Sequence, residues 1–321
     1  MPNTCLRTDP IPRMMESEDG TFRAFAGHHL LNRRTDLCEA ALRSMEVRKV
    51  LRAQRDDGSW RSSGKGGEDR HNTLVRTFKS FRALVHRYEL DRTVPQVDRA
   101  AEVLLSFQTE EGDIRGMIGG QYATYYTGEI LSLLIRAGYA EDRRIDDGLL
   151  WLLRMRQDDG GWTIPVLTRE LKWDEIVRLT GGDSEPLQPD RSRPFSHNWT
   201  DMVLRAFTAH PFYKRNRDVR RAAELLKGSL FRPDSYSSYR DPRYWTRFVG
   251  WWPNLLTALE TLTAMGYDAR DPEICRGVAW LIENQAGDGL WDLGPGRPGS
   301  PLEREWLALR ICRMLTAQGI R

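Results

Sequence analysis

Three stretches of this chain read alike: VLRAQRDDGSW at 50–60, WLLRMRQDDGGW at 151–162 and WLIENQAGDGLW at 280–291. A fourth, VLLSFQTEEGDI at 103–114, keeps the glutamine, the acid and the glycine and puts Ile114 at the tryptophan position. A fifth, RAAELLKGSLFRPDS at 221–235, begins like RAAEVLLSFQTEEGD at 99–113 and then loses the Gln and Gly. Repetition constrains a fold strongly, because each unit must bury its apolar face on the next. The shared glycine falls at 58, 112, 160 and 289, so the intervals are 54, 48 and 129 residues, the last spanning two units. Such a unit has room for two helices and their turns.

Each unit has the same grammar. A short polar loop such as YAEDRRID or YDARDPEI leads into an apolar helix such as GVAWLIEN at 277–284, then the Gln-x-x-Asp-Gly-x-Trp turn. A longer second helix follows, expected at 72–88, 122–137, 198–210, 250–265 and 302–317. Ile130, Leu133, Leu134 and Ala137 recur at helical spacing within one of these. The glycine suits a left-handed helix end, the acid before it can accept backbone N–H groups, and the tryptophan can stack on the turn. No strand-like alternation competes, so the expected class is all-α.

The turns resemble the QW repeats of squalene–hopene-type triterpene cyclases and the repeats of protein prenyltransferase β-subunits. The resemblance covers about residues 45–320 and is nearest to bacterial prenyltransferase/squalene-oxidase-repeat proteins. It implies an α/α toroid, a closed ring of about five hairpins with inner helices around a cavity. Residues 45–321 would form that ring. Residues 1–44 would pack on it, with MMESEDGTFRAFAGHHLL at 14–31 as a leading helix. An isoprenoid-like ligand in an aromatic-lined cavity, cyclised or transferred there, is what the resemblance implies for function.

The chemical motifs of those families are missing. There is no DxDD acid; the nearest string, DRRIDD at 142–147, sits in the same inter-helix loop as DRTVPQVD at 91–98 and DARDPEIC at 268–275. Acids there are expected to cap the next helix. Asp56, Asp57, Asp158 and Asp159 belong to the repeat turns and are read in the same way. The four cysteines, Cys5, Cys38, Cys275 and Cys312, have no zinc spacing, and no aspartate-rich magnesium motif is evident, so no metal or other cofactor is expected.

Composition narrows the partners. The 48 basic and 45 acidic residues nearly cancel, which speaks against nucleic acid. Six of the basic residues are lysine and the other 42 arginine, a bias that fits either guanidinium recognition of anions or a GC-rich genome. No apolar run approaches a membrane span, and the first 20 residues lack a signal-peptide core, so a cytoplasmic protein is expected, with peripheral membrane contact open.

Candidate site residues cluster where the second helices begin. Tyr122, Tyr125, Tyr126, Trp199, Trp251 and Trp252, with Trp245 and Trp306, would line a cavity or pack between helices. His71, Asn72 and Glu129 accompany them as polar contacts. His197 and Asp201 are four apart and form the candidate acid/base pair, with an N-cap at Ser196 as the alternative. Arg115, in the glycine-rich GDIRGMIGGQYATYYTG at 112–128, is a candidate anion contact, and the run itself is either an anion cradle or a tight turn. Residues 163–196 interrupt the repeat and are expected to form a lid over one mouth of the ring, near Tyr125 and Trp199. A polysaccharide lyase using Asn, His, Tyr and Arg side chains and a non-catalytic scaffold remain alternatives.

Overall fold

The computed structural model describes residues 5–60, 70–236 and 240–320. Helix is the dominant secondary structure among them, the all-α class expected from the repeats, joined by turns and loops and with one four-residue strand at Met117–Gly120. The chain divides into two compact units: Ser44–Ala222, and Met1–Arg43 grouped with Ala223–Arg321.

In the second of these, the N-terminal segment supplies α1 (Ile11–Met15), α2 (Gly20–Leu31) and α3 (Leu37–Arg43). The 44–222 unit holds the hairpins α4 (Met45–Arg52) with α5 (Arg70–Arg82), α6 (Pro95–Leu105) with α7 (Thr124–Leu134), and α8 (Arg143–Arg154) with α10 (His197–Ala209). Between the last two lies α9 (Trp173–Thr180). Helix α11 (Arg217–Gly228) spans the division; α12 (Leu255–Ala264), α13 (Pro272–Glu283) and α14 (Pro301–Ala317) complete the other unit.

The two helices of a hairpin are chemically different. In α6, Val97, Ala100, Ala101, Leu104 and Leu105 are buried, one stripe at helical spacing. In α7 every residue but Tyr126 is buried, so that helix is covered nearly all round. In two of the three loops an acid starts the first helix as expected, whereas Asp91 in the 91–98 loop accepts from Thr93 and Val94 opens α6 with no side-chain cap. Asp142 accepts from the Arg144 N–H at 2.9 Å and Asp271 from the Glu273 N–H at 3.1 Å.

The repeat turns share one geometry. Gly58, Gly112, Gly160 and Gly289 all have positive φ, and each lies against the first helix or lead-in of another hairpin. A Cβ on Gly58 would stand 2.8 Å from the Arg99 carbonyl oxygen, and one on Gly112 2.5 Å from that of Asp147. Any other residue would meet both a strained backbone and a backbone clash. The tryptophan bond is also constant: the Nε1 of Trp60, Trp162 and Trp291 donates to Val50, Leu152 and Leu281, ten residues back, at 2.8, 2.6 and 2.7 Å.

The glutamines splice turn to neighbour. Gln54 donates to Gly58 in its own turn and to Gln96 in α6. Gln108 does the same with Gly112 and with Arg144 in α8. Gln285 pairs with Gly289 and with Thr8, just before α1. The third copy departs from the pattern, because Gln157 comes one residue later relative to its glycine. Its amide therefore reaches Asp190 and Arg193 of the insertion, and Arg156 at the usual glutamine position pairs with Asp218 of α11 at 2.9 Å. In the worn fifth copy Arg276 reaches back from α13 to the Leu230 carbonyl at 2.6 Å.

The Gln285–Thr8 contact makes α1 and α2 stand as a further hairpin after α13 and α14. Phe22 and Phe25 of α2 pack on Trp306 of α14 at ring-centroid distances of 5.3 and 5.5 Å, and Ser17 donates to Glu305 at 2.5 Å. Sequence showed only a leading helix there, because no QW turn announces the pair.

Candidate functional site

In the 44–222 unit, α5, α7 and α10 present a run of aromatic rings. Phe78 meets Tyr126 edge-on at 5.7 Å, Tyr126 meets Tyr125 at 4.3 Å, and Tyr125 meets Trp199 at 4.5 Å. Helices α7 and α10 approach closely enough that a Cβ on Gly128 would stand 2.7 Å from the Val203 Cα. That approach brings Tyr125 and Trp199 into ring contact, with their planes tilted by 35°. Burial raises the Tyr125 phenol well above the ordinary tyrosine pKa, with Tyr126 adding to it, and burial raises Tyr126 as well.

One turn along the same helices sits a buried charge cluster. Arg205 bonds Glu129 of α7 at 3.0 Å and Asp201 of its own helix at 2.6 Å. All three side chains are nearly inaccessible. Burial works against the guanidinium charge, and the Asp201 and Glu129 carboxylates outweigh it, so the Arg205 pKa lies above the usual arginine value. Sequence reading missed Arg205, although it continues the four-residue spacing of His197 and Asp201. Asp201 thus faces Arg205, while His197, also buried, opens α10 behind the N-cap Ser196, which accepts from the Trp199 N–H at 3.3 Å.

Arg115 stacks over the Tyr122 ring at 4.7 Å and bonds Asp113 at 2.8 Å and Glu111 at 3.0 Å. Burial opposes its charge and these two acids more than compensate, raising its pKa. Glu111 also accepts from the Tyr122 hydroxyl at 2.7 Å. Burial pushes the Glu111 carboxyl up, but Tyr122 and Arg115 outweigh it and hold it below its ordinary value. The guanidinium is therefore matched to protein carboxylates, and this is not the open anion contact the glycine run suggested. The glycines themselves serve a close backbone approach: Gly120 N–H donates to the Gly182 carbonyl of the insertion at 2.9 Å.

The remaining candidates separate. His71 and Asn72 are exposed on the first turn of α5, with His71 Nδ1 at 2.8 Å from the Gly116 carbonyl. Trp251 and Trp252 belong to the other unit, where they stack on each other at 4.7 Å. They precede α12, which begins at Leu255 and not at 250, because Asn254 caps it by accepting from Leu256 and Thr257. The expected second helices at 122 and 198 begin at Thr124 and His197, so Tyr122 also lies before its helix. Among the described residues no group of three or more His, Cys, Asp or Glu could hold a metal ion, and no helix is long and apolar enough to cross a membrane.

No family model matches the chain. Among solved structures it is similar to a protein from Actinoplanes, at 15% identity and TM-score 0.48, covering 92% of this chain and 89% of that one. It is also similar to the type II terpene cyclase MstE from Scytonema in complex with the substrate geranylgeranyl dihydroxybenzoate, at 12% identity and TM-score 0.38, covering 94% and 100%. For the complex of that cyclase with the product merosterolic acid A the values are 12% and 0.36, covering 92% and 98%.

Proposed function

We propose that this chain, read as an α/α toroid, binds a hydrophobic isoprenoid-like molecule against the aromatic run Phe78–Tyr126–Tyr125–Trp199. The observation that carries the reading is the continuity of that run across three neighbouring helices. Ring faces offer the methyl-rich chain of an isoprenoid apolar contact, and each also favours a cation by about 0.5–2 kcal/mol. The buried Glu129–Arg205–Asp201 cluster lies on the same helices, one turn from the rings. Cyclisation or prenyl transfer is the finer step, for which Asp201 and His197 are the acid/base candidates. The QW-type turns support the same reading through their resemblance to the cyclases and prenyltransferases. The lyase alternative is disfavoured, since Arg115 is matched to Glu111 and Asp113.

Native mass spectrometry of the purified chain with geranylgeraniol and with a total lipid extract tests the reading. A one-to-one adduct is expected, weakened at least about tenfold in Tyr125→Ala and Trp199→Ala and unchanged in Phe212→Ala, which removes an exposed ring. No adduct, or one indifferent to Tyr125 and Trp199, overturns it.

A second reading has its own observation. Tyr125 and Trp199 are each only 6% exposed, so the rings fill the space between helices as a packed core does. A scaffold without a ligand follows if the Ala variants lose stability and nothing binds the wild type.

A further inference from the structure

The insertion between α8 and α10 is built in two parts. Its first residues are core: Thr163, Ile164, Pro165, Val166 and Thr168 are buried, and Thr124 donates to the Thr163 carbonyl at 2.9 Å. From Arg169 to Phe195 not one residue is buried. Helix α9 in this stretch leaves Trp173 77% exposed. The stretch is held by polar bonds at two places. Its far end is tied to the third repeat turn, through Gln157 to the Asp190 and Arg193 carbonyls and through Asp159 to the Phe195 N–H. A neck closes beside that end, where Asp190 N–H donates to Thr168 at 2.9 Å and Arg193 pairs with Glu170 at 2.7 Å.

Beyond the neck, the hydrogen bonds that fasten the loop among the described residues go to one short segment, 120–122, and α9 also packs beside the strand Met117–Gly120. Gln121 donates to the Ser184 hydroxyl at 2.8 Å and the Glu185 carbonyl at 2.9 Å, and accepts from the Leu187 N–H at 2.9 Å. Gly120 donates to Gly182, and Gln188 donates to the Tyr122 hydroxyl at 3.1 Å. The fit is close: a Cβ on Gly120 would stand 2.1 Å from the Ser184 carbonyl oxygen. Gln121 and Tyr122, which make this fastening, and the next three residues, Ala123, Thr124 and Tyr125, are all buried.

A segment with no buried residue, fastened by a few hydrogen bonds each contributing about 1 kcal/mol, opens at far lower cost than the helices around it. We propose that residues 171–188 are a gate hinged at the Thr168–Asp190 neck and latched by Gln121, whose lifting uncovers Tyr122 and, three residues on, the Tyr125–Tyr126 pair in the middle of the aromatic run. This rests on the reading above only for what passes the gate, a hydrophobic isoprenoid-like ligand. The latch is centred on the Gln121 side chain, with Gly120 and Tyr122 on either side of it, and the hinge side stays pinned by Gln157, so the motion is a swing of the loop and not an unfolding of the hairpins.

Hydrogen exchange of the ligand-free chain tests the gate. In Gln121→Ala, in the volume-preserving Gln121→Glu and in Gly120→Ala, amides across 173–188 are expected to exchange at least about tenfold faster, with α8 and α10 unchanged. Unchanged exchange in 173–188, or an equal rise throughout 44–222, overturns the gate. The association rate of geranylgeraniol, followed by tryptophan quenching, is expected to rise in the same variants. If the wild type binds it and the latch variants leave that rate unchanged, the gate falls while the binding reading stands. If the variants free the loop and no isoprenoid binds any form, the gate stands and the binding reading falls.

Discussion

Gln285 donates its side-chain amide to the carbonyl of Thr8 at 2.8 Å, and its side-chain oxygen accepts from the N–H groups of Arg7 and Thr8 at 3.0 and 3.1 Å. The N-terminal segment thereby takes the place that α6 takes for Gln54 and α8 takes for Gln108. The turn at 285–289 and the segment leading into α1 are joined by the device that elsewhere joins successive hairpins.

Gln285→Ala removes these bonds from a buried site and is expected to lower stability by about 1–3 kcal/mol. Exchange should rise in α1 and α2, which no other repeat glutamine reaches. Gln157→Ala should instead raise exchange in 190–195. Equal exchange maps for the two variants would contradict the assignment.

The repeat tryptophans are structural. Trp291→Ala is expected to cost about 3–5 kcal/mol through lost aromatic burial. Trp162→Phe keeps much of the ring but removes the indole donor to the Leu152 carbonyl, which retains the Met155 N–H, at about 0.5–1.5 kcal/mol for the bond. Urea denaturation of both variants checks this, and a change under 0.5 kcal/mol in either, about the scatter of neutral surface substitutions, would refute it.

Arg205→Met leaves Glu129 and Asp201 close together and buried without their shared cation. A loss of about 3–5 kcal/mol is expected. Denaturant titration should show the triple variant Arg205→Met, Glu129→Gln, Asp201→Asn recovering much of that loss, since it removes the uncompensated charge. No recovery would place the effect in packing.

Tyr88 donates its hydroxyl to Glu46 at 2.8 Å. Burial, with Glu46 helping and Arg87 opposing, pushes its phenol up to about 12. An unfolded tyrosine ionises near pH ~10. The folded value is the higher one, so this contribution to stability is whole below pH ~10 and is lost as pH rises from there through about 12. Alkaline unfolding should therefore be shallower in Tyr88→Phe. Identical slopes, or a Tyr88 that titrates near pH ~10 by absorbance at 295 nm, would disprove it.

The hairpins, their turns and the capping acids were legible in the sequence because each is encoded within a few residues. A glycine at positive φ, a tryptophan ten residues from its acceptor and an aspartate before a helix are local geometry, repeated often enough to be seen. The aromatic run was legible as a set of ring types at helix starts, and Tyr125, Tyr126 and Trp199 do meet. Other things were decided only by tertiary structure. Among 42 arginines, nothing local marks Arg205 as the one that joins Glu129, 76 residues away, to Asp201. A one-residue shift before Gly160 turns Gln157 toward the insertion, and Gln121 finds its partners more than 60 residues on. Propensity and turn chemistry act along the chain and can be read from it. Ion pairs and latches depend on which backbones are brought side by side, and that is fixed only when the helices pack.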